Sequence, residues 1–394
     1  DVISRLNNSF LMIQGPCGTG KTYQAANAIV ELIKKKKKIA ITANSHKVIH
    51  NLLERIEDIA DKKVEFKGLK MGNPENEDTF YDGKYIKTSK NEKHYIDGLN
   101  DNSVLLFAGT KFHLSSWYYQ KKIDYLFIDE SSQMSLSDLI ALGSIAKNII
   151  LVGDQQQLGQ PTQGNHPGES SKSVLDYLLE GKATIPEDRG IFLNKTFRLN
   201  SKINSFISPC FYDNRLLVHE KNKQRKINFS KSSLIKSEGI HYIQMDHEDN
   251  SQTSHEEYET ISKIMKQLIG SKFNDIDNKV RNLTIEDILI VSPYNAQVNY
   301  LLARLDKGAR VGTVDRFQGQ ESPICIISMT SSDSDNLPRN KKFAFDFHRL
   351  NVAISRAQCA SIILFNPRLL ETPPTDYEEM LLLNNFHKLL NYKI

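Results

Sequence analysis

Short apolar runs alternate with helical patterns along most of the chain, and this alternation predicts an α/β fold. The runs are rich in β-branched residues and almost uninterrupted, as in parallel strands that are buried on both faces. In the first half they lie at 39–43, 104–108, 126–129 and 149–152, and helical stretches such as 48–59 and 136–146 separate them. In the second half they lie at 191–194, 288–292, 310–314, 324–329 and 362–365. Two doubly wound parallel sheets are therefore expected.

The boundary between the two sheets is expected in the turn-rich stretch 180–190, which contains Gly181, Pro186 and Gly190. This predicts a first domain over residues 1–188 and a second over residues 189–394. Two charged stretches without clear periodicity, about 62–102 and about 215–250, interrupt the pattern. We interpret both as short surface insertions, which often carry contacts to a substrate.

Composition narrows the class of protein only slightly. A chain of 394 residues with 39% hydrophobic content can fill two cores, and no apolar run approaches the length that spans a membrane. The four cysteines lack the spacing of a zinc site or a disulfide framework, and the net charge of +4 is compatible with a polyanionic partner without requiring one. We therefore expect a soluble, cytoplasmic enzyme. Because the chain starts at Asp1, we also expect it to be part of a longer protein.

The segment GPCGTGKT at residues 15–22 is the most informative motif. It follows the apolar run 10–13 and precedes a helical pattern, which is the context in which this spacing forms a phosphate-binding loop. Glycines allow backbone N–H groups to converge on phosphate oxygens at a helix N-terminus. The predicted nucleotide-binding residues of the loop are Gly15, Gly18, Thr19, Gly20, Lys21 and Thr22. Lys21 can reach the β- and γ-phosphates, and the Thr22 hydroxyl suits Mg²⁺.

Two acids follow the buried strand predicted at 126–128, in the sequence DYLFIDE. Open α/β sheets bind their ligands at the carboxyl ends of the strands, so Asp129 is predicted to hold Mg²⁺ and Glu130 to polarise the attacking water. Two acids at a strand end are usually solvated and mean little alone. Together with the phosphate loop they favour hydrolysis over simple binding of a nucleoside triphosphate.

Nine motifs occur in an order that resembles superfamily 1 helicases. They are GPCGTGKT, TANSHKVIHNLL, FAGT, DESSQ, VGDQQQLGQP, TFRLN, VSPYNAQV, VGTVDRFQGQE and LNVAISRA, and they run from residue 15 to 357. The chain resembles the branch that contains the nonsense-mediated-decay RNA helicase and the Okazaki-fragment nuclease–helicase. The stretches between the motifs look most similar to bacterial fusions of a RecB-like nuclease to such a helicase. The resemblance implies two tandem RecA-like domains that share one nucleotide site.

The resemblance assigns roles to single residues. Gln157 would sense the γ-phosphate and the lytic water, and Arg198 and Arg356 would stabilise the charge of the transferred phosphoryl group. Phe197 stands where an aromatic ring stacks on adenine. The remaining predicted contacts, to phosphates and ribose, are Gly319 and Glu321. The implied cofactors are ATP and Mg²⁺, with Thr22 and Asp129 as the metal site; the glutamine that reads adenine in the family is missing from residues 1–10.

The resemblance also implies a path for single-stranded nucleic acid along both domains. The predicted contacts are Asn44, Ser45, Thr110, Pro293, Tyr294 and Thr313, all at the ends of predicted strands. Such hydroxyl, amide and backbone groups position phosphates without reading sequence. Alternatively, Ser45 caps the following helix and Thr110 closes a turn. Both roles can coexist in one residue.

Two functions remain open from the sequence. The first is an ATP-driven motor that moves along single strands, expected 5′-to-3′, and separates duplexes, with DNA favoured over RNA. The second is an ATP-driven nucleic-acid clamp or remodelling switch that does not unwind processively, and its substrate could be RNA. The nuclease-fusion relatives imply a nuclease domain N-terminal to this chain as a partner. No carboxylate cluster outside the ATP site is expected to pair with a lysine in the strand-borne D…E-x-K arrangement of such nucleases, so the chain itself is not expected to cut nucleic acid. No membrane partner is expected.

Two further features receive structural interpretations. Ser254 and Glu257 fit a capping box at the start of a helix, so the acid- and histidine-rich stretch 241–259 is not interpreted as a metal site. The single tryptophan, Trp117, follows Phe112 and Leu114 and is predicted to be packed in a core rather than stacked on a base.

Overall fold

The computed structural model describes residues 2–160, 167–170, 172–230, 232–333, 337–339, 341–371 and 373–390. The chain divides into two compact units. The first consists of the chain up to Pro16, Gly20–Gln155 and Gly159–Leu193. The second consists of Cys17–Thr19, Gln156–Leu158 and the chain from Asn194 onward.

An eight-stranded sheet forms the centre of the first unit, counted over the described residues. Its strands are β1 (Phe10–Gln14), β2 (Ile39–Thr42), β3 (Gly68–Met71), β4 (Ile86–Ser89), β5 (Leu106–Ala108), β6 (Ile123–Ile128), β7 (Ala146–Gly153) and β8 (Gly190–Phe192). They are ordered β4-β3-β5-β2-β6-β7-β1-β8, and all neighbouring pairs are parallel. All carboxyl ends therefore meet at one edge of the sheet.

Helices cover both faces of this sheet. They are α1 (Lys21–Lys34), α2 (His46–Ala60), α3 (Glu92–Asn100), α4 (Lys111–Leu114), α5 (Leu136–Gly143) and α6 (Val174–Leu179). Ile29 of α1 and Leu52 of α2 pack in one apolar cluster with Ile41 of β2. Its neighbour Ala40 belongs to the other cluster, with Tyr95 of α3. Because successive strand residues point to opposite faces, the sheet is buried on both sides, as the apolar runs predict.

The second unit contains a five-stranded parallel main sheet within the described part of the chain. The strands of the unit are β9 (Lys195–Thr196), β10 (Leu217–Val218), β11 (Lys226–Ile227), β12 (Gly239–Gln244), β13 (Lys272–Asn274), β14 (Val280–Asn282), β15 (Ile288–Val291), β16 (Arg310–Gly312), β17 (Ser322–Ser328) and β18 (Ala357–Phe365). The main sheet has the order β12-β18-β17-β15-β16. Two small sheets accompany it, β9 with parallel β10, and β11-β13-β14, which is antiparallel.

Six further α-helices lie in the described residues of this unit. They are α7 (Ser201–Phe211), α8 (His255–Leu268), α9 (Asn295–Leu302), α10 (Lys341–Ala344), α11 (Phe347–Ile354) and α12 (Tyr377–Leu390). The predicted fold class, α/β with two doubly wound, RecA-like parallel-sheet domains, is confirmed. No described helix has both the length and the apolar character to cross a membrane.

The stretch 62–102 is not the surface insertion that its polar composition predicts. β3 and β4 extend the first sheet beyond β5, and α3 packs against the same sheet. The periodicity is hidden because Lys70 occupies a fully buried strand position, where its amine donates to the carbonyl of Thr79. Burial lowers the pKa of Lys70 to about 8.

Two other predictions about chain organisation are wrong. The strand expected at 191–194 to begin the second sheet is β8, which pairs with β1 at the edge of the first sheet. The stretch 215–250 is also more than an insertion, because β12 forms an edge of the second main sheet beside β18.

The environment of Trp117 also differs from the prediction. Its side chain is 73% exposed, whereas Leu114, Tyr118 and Tyr119 occupy the core positions around it. Trp117 begins the 3₁₀-helix Trp117–Tyr119, in which Tyr118 and Tyr119 are the buried residues, so the aromatic at 117 faces solvent. The capping prediction is half right: Ser254 Oγ accepts from Glu257 N (3.1 Å), but the Glu257 carboxylate turns inward to Ser328 and Thr330.

Candidate active site and nucleic-acid interface

The phosphate loop connects β1 to α1. Gly18 and Gly20 have φ of 73° and 80°, a left-handed conformation that side chains with Cβ rarely adopt. Gly20 is the N-cap of α1 and supplies no side-chain cap, so the first N–H groups of the helix lack that partner. Lys21 Nζ donates to Gly15 O (2.6 Å), which holds its charge beside the loop. This arrangement suits an anionic ligand at the N-terminus of α1.

Asp129 and Glu130 follow β6 at the carboxyl edge of the first sheet. Asp129 is 4% exposed, and its burial, followed by the charge of Glu130, raises its pKa to about 7, while Lys21 opposes this shift. Glu130 adopts φ of 51°, a conformation that costs a non-glycine residue about 1–3 kcal/mol and is often retained at functional sites. Its N–H donates to Asp129 Oδ1 (3.0 Å). The strained turn thus fixes two carboxylates beside each other.

The donor types at this edge fit Mg²⁺. The cation prefers oxygen ligands and binds through one or two carboxylates together with substrate phosphates. A buried carboxylate that is hard to ionise, such as Asp129, gains its charged form when a cation neutralises it. Asp129 and the half-buried Thr22 are therefore the residues that would hold the ion.

Two buried glutamines that the sequence analysis missed support this edge. Gln14, the last residue of β1, donates from Nε2 to Asp154 Oδ1 (3.2 Å) and accepts from Ile185 N (2.7 Å). Gln155 Nε2 donates to Ala183 O (2.8 Å). Together they attach the segment before β8 to the ends of β1 and β7. The sequence signal that could have indicated Gln14 is its position as the polar last residue of the apolar run FLMIQ.

Gln157 lies half-buried, four residues beyond the end of β7 at Gly153. Its place after the last residue of a central strand matches the sensor position that the resemblance implies. Its role stays a prediction.

In the second unit, four predicted site residues gather around one ion pair. Arg198 Nε donates to Glu321 Oε2 (2.5 Å), and Arg198 Nη1 donates to Ser355 O (3.3 Å), next to Arg356. Arg356 Nη1 donates to Gln320 O (3.2 Å), between Gly319 and Glu321. Both arginines are almost fully buried. Arg198 lies 123 positions from Glu321 and 157 from Ser355 in sequence, so the cluster joins motifs that are distant along the chain.

The charges in this cluster are balanced by Glu321. Burial alone would raise the pKa of Glu321, but the charge and hydrogen bond of Arg198 hold it below its usual value. A carboxylate in this position keeps the guanidinium of Arg198 oriented through a charge-assisted hydrogen bond. Orientation in advance is what a group needs in order to stabilise a developing phosphoryl charge.

Phe197 is 44% exposed, and one face of its ring stacks on His219, with centroids 4.3 Å apart and an interplanar angle of 29°. An exposed ring held in this way offers its other face to a flat partner such as a nucleobase. His219 was not predicted, because nothing in the sequence places it beside Phe197.

The predicted strand contacts of the first unit lie at its carboxyl edge. Asn44 and Ser45 follow β2, and Thr110 follows β5, which pairs with β2 through Ile41 and Ala108. Ser45 Oγ accepts from Val48 N (3.3 Å) and caps α2, so the structural alternative applies to this residue. Asn44 Nδ2 donates to Gln133 Oε1 (3.2 Å), and both Asn44 and Ser45 remain exposed.

The contacts predicted in the second unit are less uniform. Pro293 and Thr313 follow the paired strands β15 and β16 and are half-buried. Tyr294 is 5% exposed, and its hydroxyl accepts from Ser331 Oγ (3.4 Å). The ring of Tyr294 therefore supports the loop from inside, and the accessible groups here belong to Pro293 and Thr313.

Comparison with protein families identifies the chain. A family model described as an AAA domain matches residues 170–368, which is half of the chain, and a second model described as an AAA domain matches residues 3–170. The chain belongs to the AAA domain family. Together the two matches span residues 3–368 of this AAA protein.

Curated relatives place this AAA protein among superfamily 1 helicases. It is 28% identical over 386 residues to the DNA replication ATP-dependent helicase/nuclease dna2 of Schizosaccharomyces pombe, covering 90% of this chain and 26% of that protein. It is 26% identical to an uncharacterized ATP-dependent helicase of Methanocaldococcus jannaschii, covering 95% and 68%, and 25% identical to the ATP-dependent helicase upf1 of S. pombe, covering 93% and 44%. The predicted branch is confirmed, and each of these relatives is named as an ATP-dependent helicase.

The chain spans only about a quarter of the first of these relatives. The narrower similarity to RecB-like nuclease fusions stays a prediction, as do the roles of the individual site residues.

Proposed function

We propose that the protein is an ATP-driven motor that moves along single-stranded DNA and separates duplexes in the 5′-to-3′ direction. The observation that carries this proposal is the distribution of the chemistry. The phosphate loop lysine and the two acids belong to the first unit, whereas two buried, oriented arginines belong to the second. Hydrolysis that needs groups from two units can be coupled to a movement of one unit against the other.

In the first unit, the N–H groups at the start of α1 and the charge of Lys21 bind the phosphates. Mg²⁺ bound with the nucleotide would neutralise phosphate charge beside Asp129 and Thr22. Glu130 orients the attacking water by accepting its hydrogen bond, and its strained backbone keeps the carboxylate in place. Gln157, which belongs to the second unit, completes the recognition of that water.

In the second unit, Arg198 and Arg356 stabilise the charge that develops on the transferred phosphoryl group. A planar guanidinium can donate two parallel hydrogen bonds to phosphate oxygens, which lysine cannot. Glu321 holds Arg198 before the nucleotide arrives, so little reorganisation is needed during the reaction. Phe197 stacks on the base and adds affinity with little base selectivity.

Single-stranded nucleic acid is proposed to bind along the carboxyl edges of both sheets. Asn44, Thr110, Pro293 and Thr313 offer hydroxyl, amide and backbone groups there, and such contacts position phosphates without reading bases. A strand that contacts both units binds one arrangement of them more tightly, and ATP hydrolysis then changes which arrangement is favoured. DNA is preferred over RNA because the relatives named as helicase/nuclease act in DNA replication.

Unwinding of duplexes that carry either a 5′ or a 3′ single-stranded overhang tests the function. The proposal predicts ATP-dependent unwinding of the 5′-tailed duplex and at least about tenfold less of the 3′-tailed one. Glu130→Gln serves as the control that binds ATP and strand but hydrolyses slowly. ATP hydrolysis stimulated by single strands without any unwinding would instead indicate the clamp or switch.

Competition between matched DNA and RNA oligonucleotides at one stated salt concentration tests the substrate. Binding dominated by phosphate contacts should show a slope of log K against log salt of about −0.7 per neutralised phosphate for single strands. A marked preference for RNA would overturn the choice of DNA while leaving the motor intact.

A nuclease domain elsewhere in the full-length protein is also proposed, following the helicase/nuclease name of the S. pombe relative. This chain alone should not cut DNA in Mg²⁺ or Mn²⁺. Cutting that survives Lys21→Ala would contradict this part of the proposal.

A further inference from the structure

Two buried side chains from the stretch 215–250 hold the backbone that carries Phe197 and Arg198. The first is Asn222, which is 1% exposed. Its Nδ2 donates to Thr196 O (3.0 Å) and to Leu199 O (2.8 Å). A single amide group thus connects the two ends of a four-residue segment.

The second side chain is Arg225, which holds the middle of the same segment. Its Nη1 donates to Phe197 O (2.7 Å) and to Arg198 O (2.6 Å). Four consecutive carbonyls, from Thr196 to Leu199, therefore accept hydrogen bonds from these two side chains. Hydrogen bonds from a charged donor are about twice as strong as neutral ones, so the middle of the segment is held most firmly.

The two donors are themselves fixed. They lie in and directly after the 3₁₀-helix Glu220–Gln224, where Asn222 N donates to His219 O (2.9 Å) and Arg225 N donates to Asn222 O (3.2 Å). Asn274 in β13 anchors the end of this turn by donating to Gln224 O (2.8 Å). His219, at its beginning, is the residue that stacks on Phe197.

Hydrogen bonds consequently restrain Arg198 at its backbone N–H, at its carbonyl and at its guanidinium. Its N–H donates to Thr196 Oγ1 (3.2 Å), its carbonyl accepts from Arg225, and its guanidinium is paired with Glu321. Removing the hold on the carbonyl would allow the peptide to rotate and the guanidinium to shift, although the ion pair remained. The hydrogen bonds of the Arg225 guanidinium go to the backbone carbonyls of Phe197 and Arg198, so Arg225 can act on the reaction through that backbone.

We propose that Asn222 and Arg225 are positioning residues for ATP hydrolysis, which set the place of the Arg198 guanidinium through its backbone. This inference rests on the proposed function, because it assumes that Arg198 acts on the transferred phosphoryl group. It assigns the stretch 215–250 a role in catalysis rather than in substrate contact. Loss of the hydrogen bonds from Asn222 and Arg225 to this backbone should lower ATP turnover without removing nucleotide affinity.

Arg225→Met removes the donor while keeping most of the apolar stem. We expect strand-stimulated kcat to fall about 10- to 100-fold, since a displacement of about 1 Å at a catalytic group can cost about 10² in rate. The KM for ATP should change by less than about threefold, because Phe197 keeps His219 as its partner. Arg225→Lys, whose ammonium can also donate to two carbonyls, should recover part of the rate.

Lys223→Met is the matched control. Lys223 is an exposed cation in the same 3₁₀-helix, two residues before Arg225, and has none of the contacts to 196–199. It should leave kcat unchanged. A comparable loss of kcat in this control would mean that positive charge, and not the hold on the backbone, matters, which would overturn the inference.

A double-mutant cycle in single-turnover experiments separates positioning from general damage. If Arg225 acts through Arg198, then Arg225→Met should have little further effect in an Arg198→Ala background. An equal fold-loss in both backgrounds would overturn the inference. If Arg225→Met does not fold, Asn222→Ala carries the same cycle, because it removes the side-chain donor to both outer carbonyls and leaves Thr196 O only its bond from His219 N. Absence of ATPase in the unaltered chain would overturn both the proposed function and the inference, whereas normal turnover in Arg225→Met would overturn the inference alone.

Discussion

The phosphate loop and the arginine cluster, which we propose act in the same reaction, are built in opposite ways. The loop is one contiguous segment whose proposed phosphate-binding groups are backbone N–H groups at the start of α1, assisted by the Lys21 amine. The cluster is assembled from Arg198, Glu321 and Arg356, which lie far apart in sequence, and it works through side chains. A backbone-built site needs glycines at the correct spacing, whereas a side-chain-built site needs a second set of residues to hold it.

The difference has a consequence for mutation. In the proposed mechanism, replacing Lys21 removes a charge that binds the phosphates, so the affinity for ATP should fall. Replacing an arginine of the cluster should instead leave the nucleotide bound and slow the reaction. The stretch 215–250 shows how much support the cluster requires, since two of its buried side chains are used to hold four carbonyls.

The largest expected effect separates the two regions directly. Arg198→Ala should lower kcat for ATP about 10³-fold or more, equivalent to roughly 4 kcal/mol of transition-state stabilisation, while much of the ATP affinity remains. Lys21→Ala should weaken ATP binding as well. Equilibrium binding of a fluorescent ATP analogue and steady-state turnover measure the two quantities. Arg368→Ala, which removes an exposed arginine paired with Glu248, is the control and should alter neither. Equal loss of affinity in both active-site variants would remove the distinction between the regions.

A smaller effect extends the comparison to the fold of the first unit. Lys70 is buried in β3, and its lowered pKa means that the unfolded chain binds more protons between about pH 8 and the ordinary lysine pKa. Stability of the natural chain relative to Lys70→Met should therefore rise by roughly 1 to 3 kcal/mol as pH increases from 7 to 10. Burial, followed by the charge of Lys70, lowers the pKa of the nearby His50 to about 4, and burial likewise lowers that of His46, so neither ring titrates in this window.

Urea unfolding of both chains across that pH range measures the difference. Lys87→Met, which removes an exposed lysine of the neighbouring strand β4 that pairs with Asp82, is the matched control. If the difference in unfolding free energy between the natural chain and Lys70→Met stayed constant with pH, the Lys70 amine would not be desolvated in the folded state.

The smallest expected effect concerns Trp117. Because its side chain is exposed, Trp117→Ala should change the free energy of unfolding by no more than about 0.5 kcal/mol. Tyr119→Ala, two residues away and fully buried, should cost about 3–5 kcal/mol. Thermal and urea unfolding of the two variants, Trp117→Ala and Tyr119→Ala, test whether Trp117 is exposed, as in the structure, or packed in a core, as its sequence suggests.

Sequence alone predicted what depends on local pattern. The strands at the centres of both sheets are short apolar runs, and the loop GPCGTGKT contains its own binding groups, so both are visible in one segment. The sequence did not predict β3, because a buried lysine interrupts its apolar pattern. It assigned β8 to the wrong sheet, because a strand that follows a domain-boundary turn can join either sheet. Motif resemblance supplied Arg198, Glu321 and Arg356, which the structure brings together.

The supporting residues could not be predicted in the same way. Gln14, Asn222 and Arg225 act through hydrogen bonds to carbonyls of distant residues, and a carbonyl is present at every position of the chain. No spacing rule marks which backbone segment a buried amide or guanidinium will meet. Burial of polar side chains became informative only once the fold was known.

The central claim is that hydrolysis requires both units and that a bound strand favours their productive arrangement. ATP turnover by the unaltered chain and by Arg356→Ala, each with and without single-stranded DNA, tests it most directly. We predict stimulation of at least about tenfold by the strand in the unaltered chain and almost no turnover in Arg356→Ala under either condition, with ATP still bound. Turnover that is independent of the strand, or near-normal stimulated turnover in Arg356→Ala, would contradict the claim.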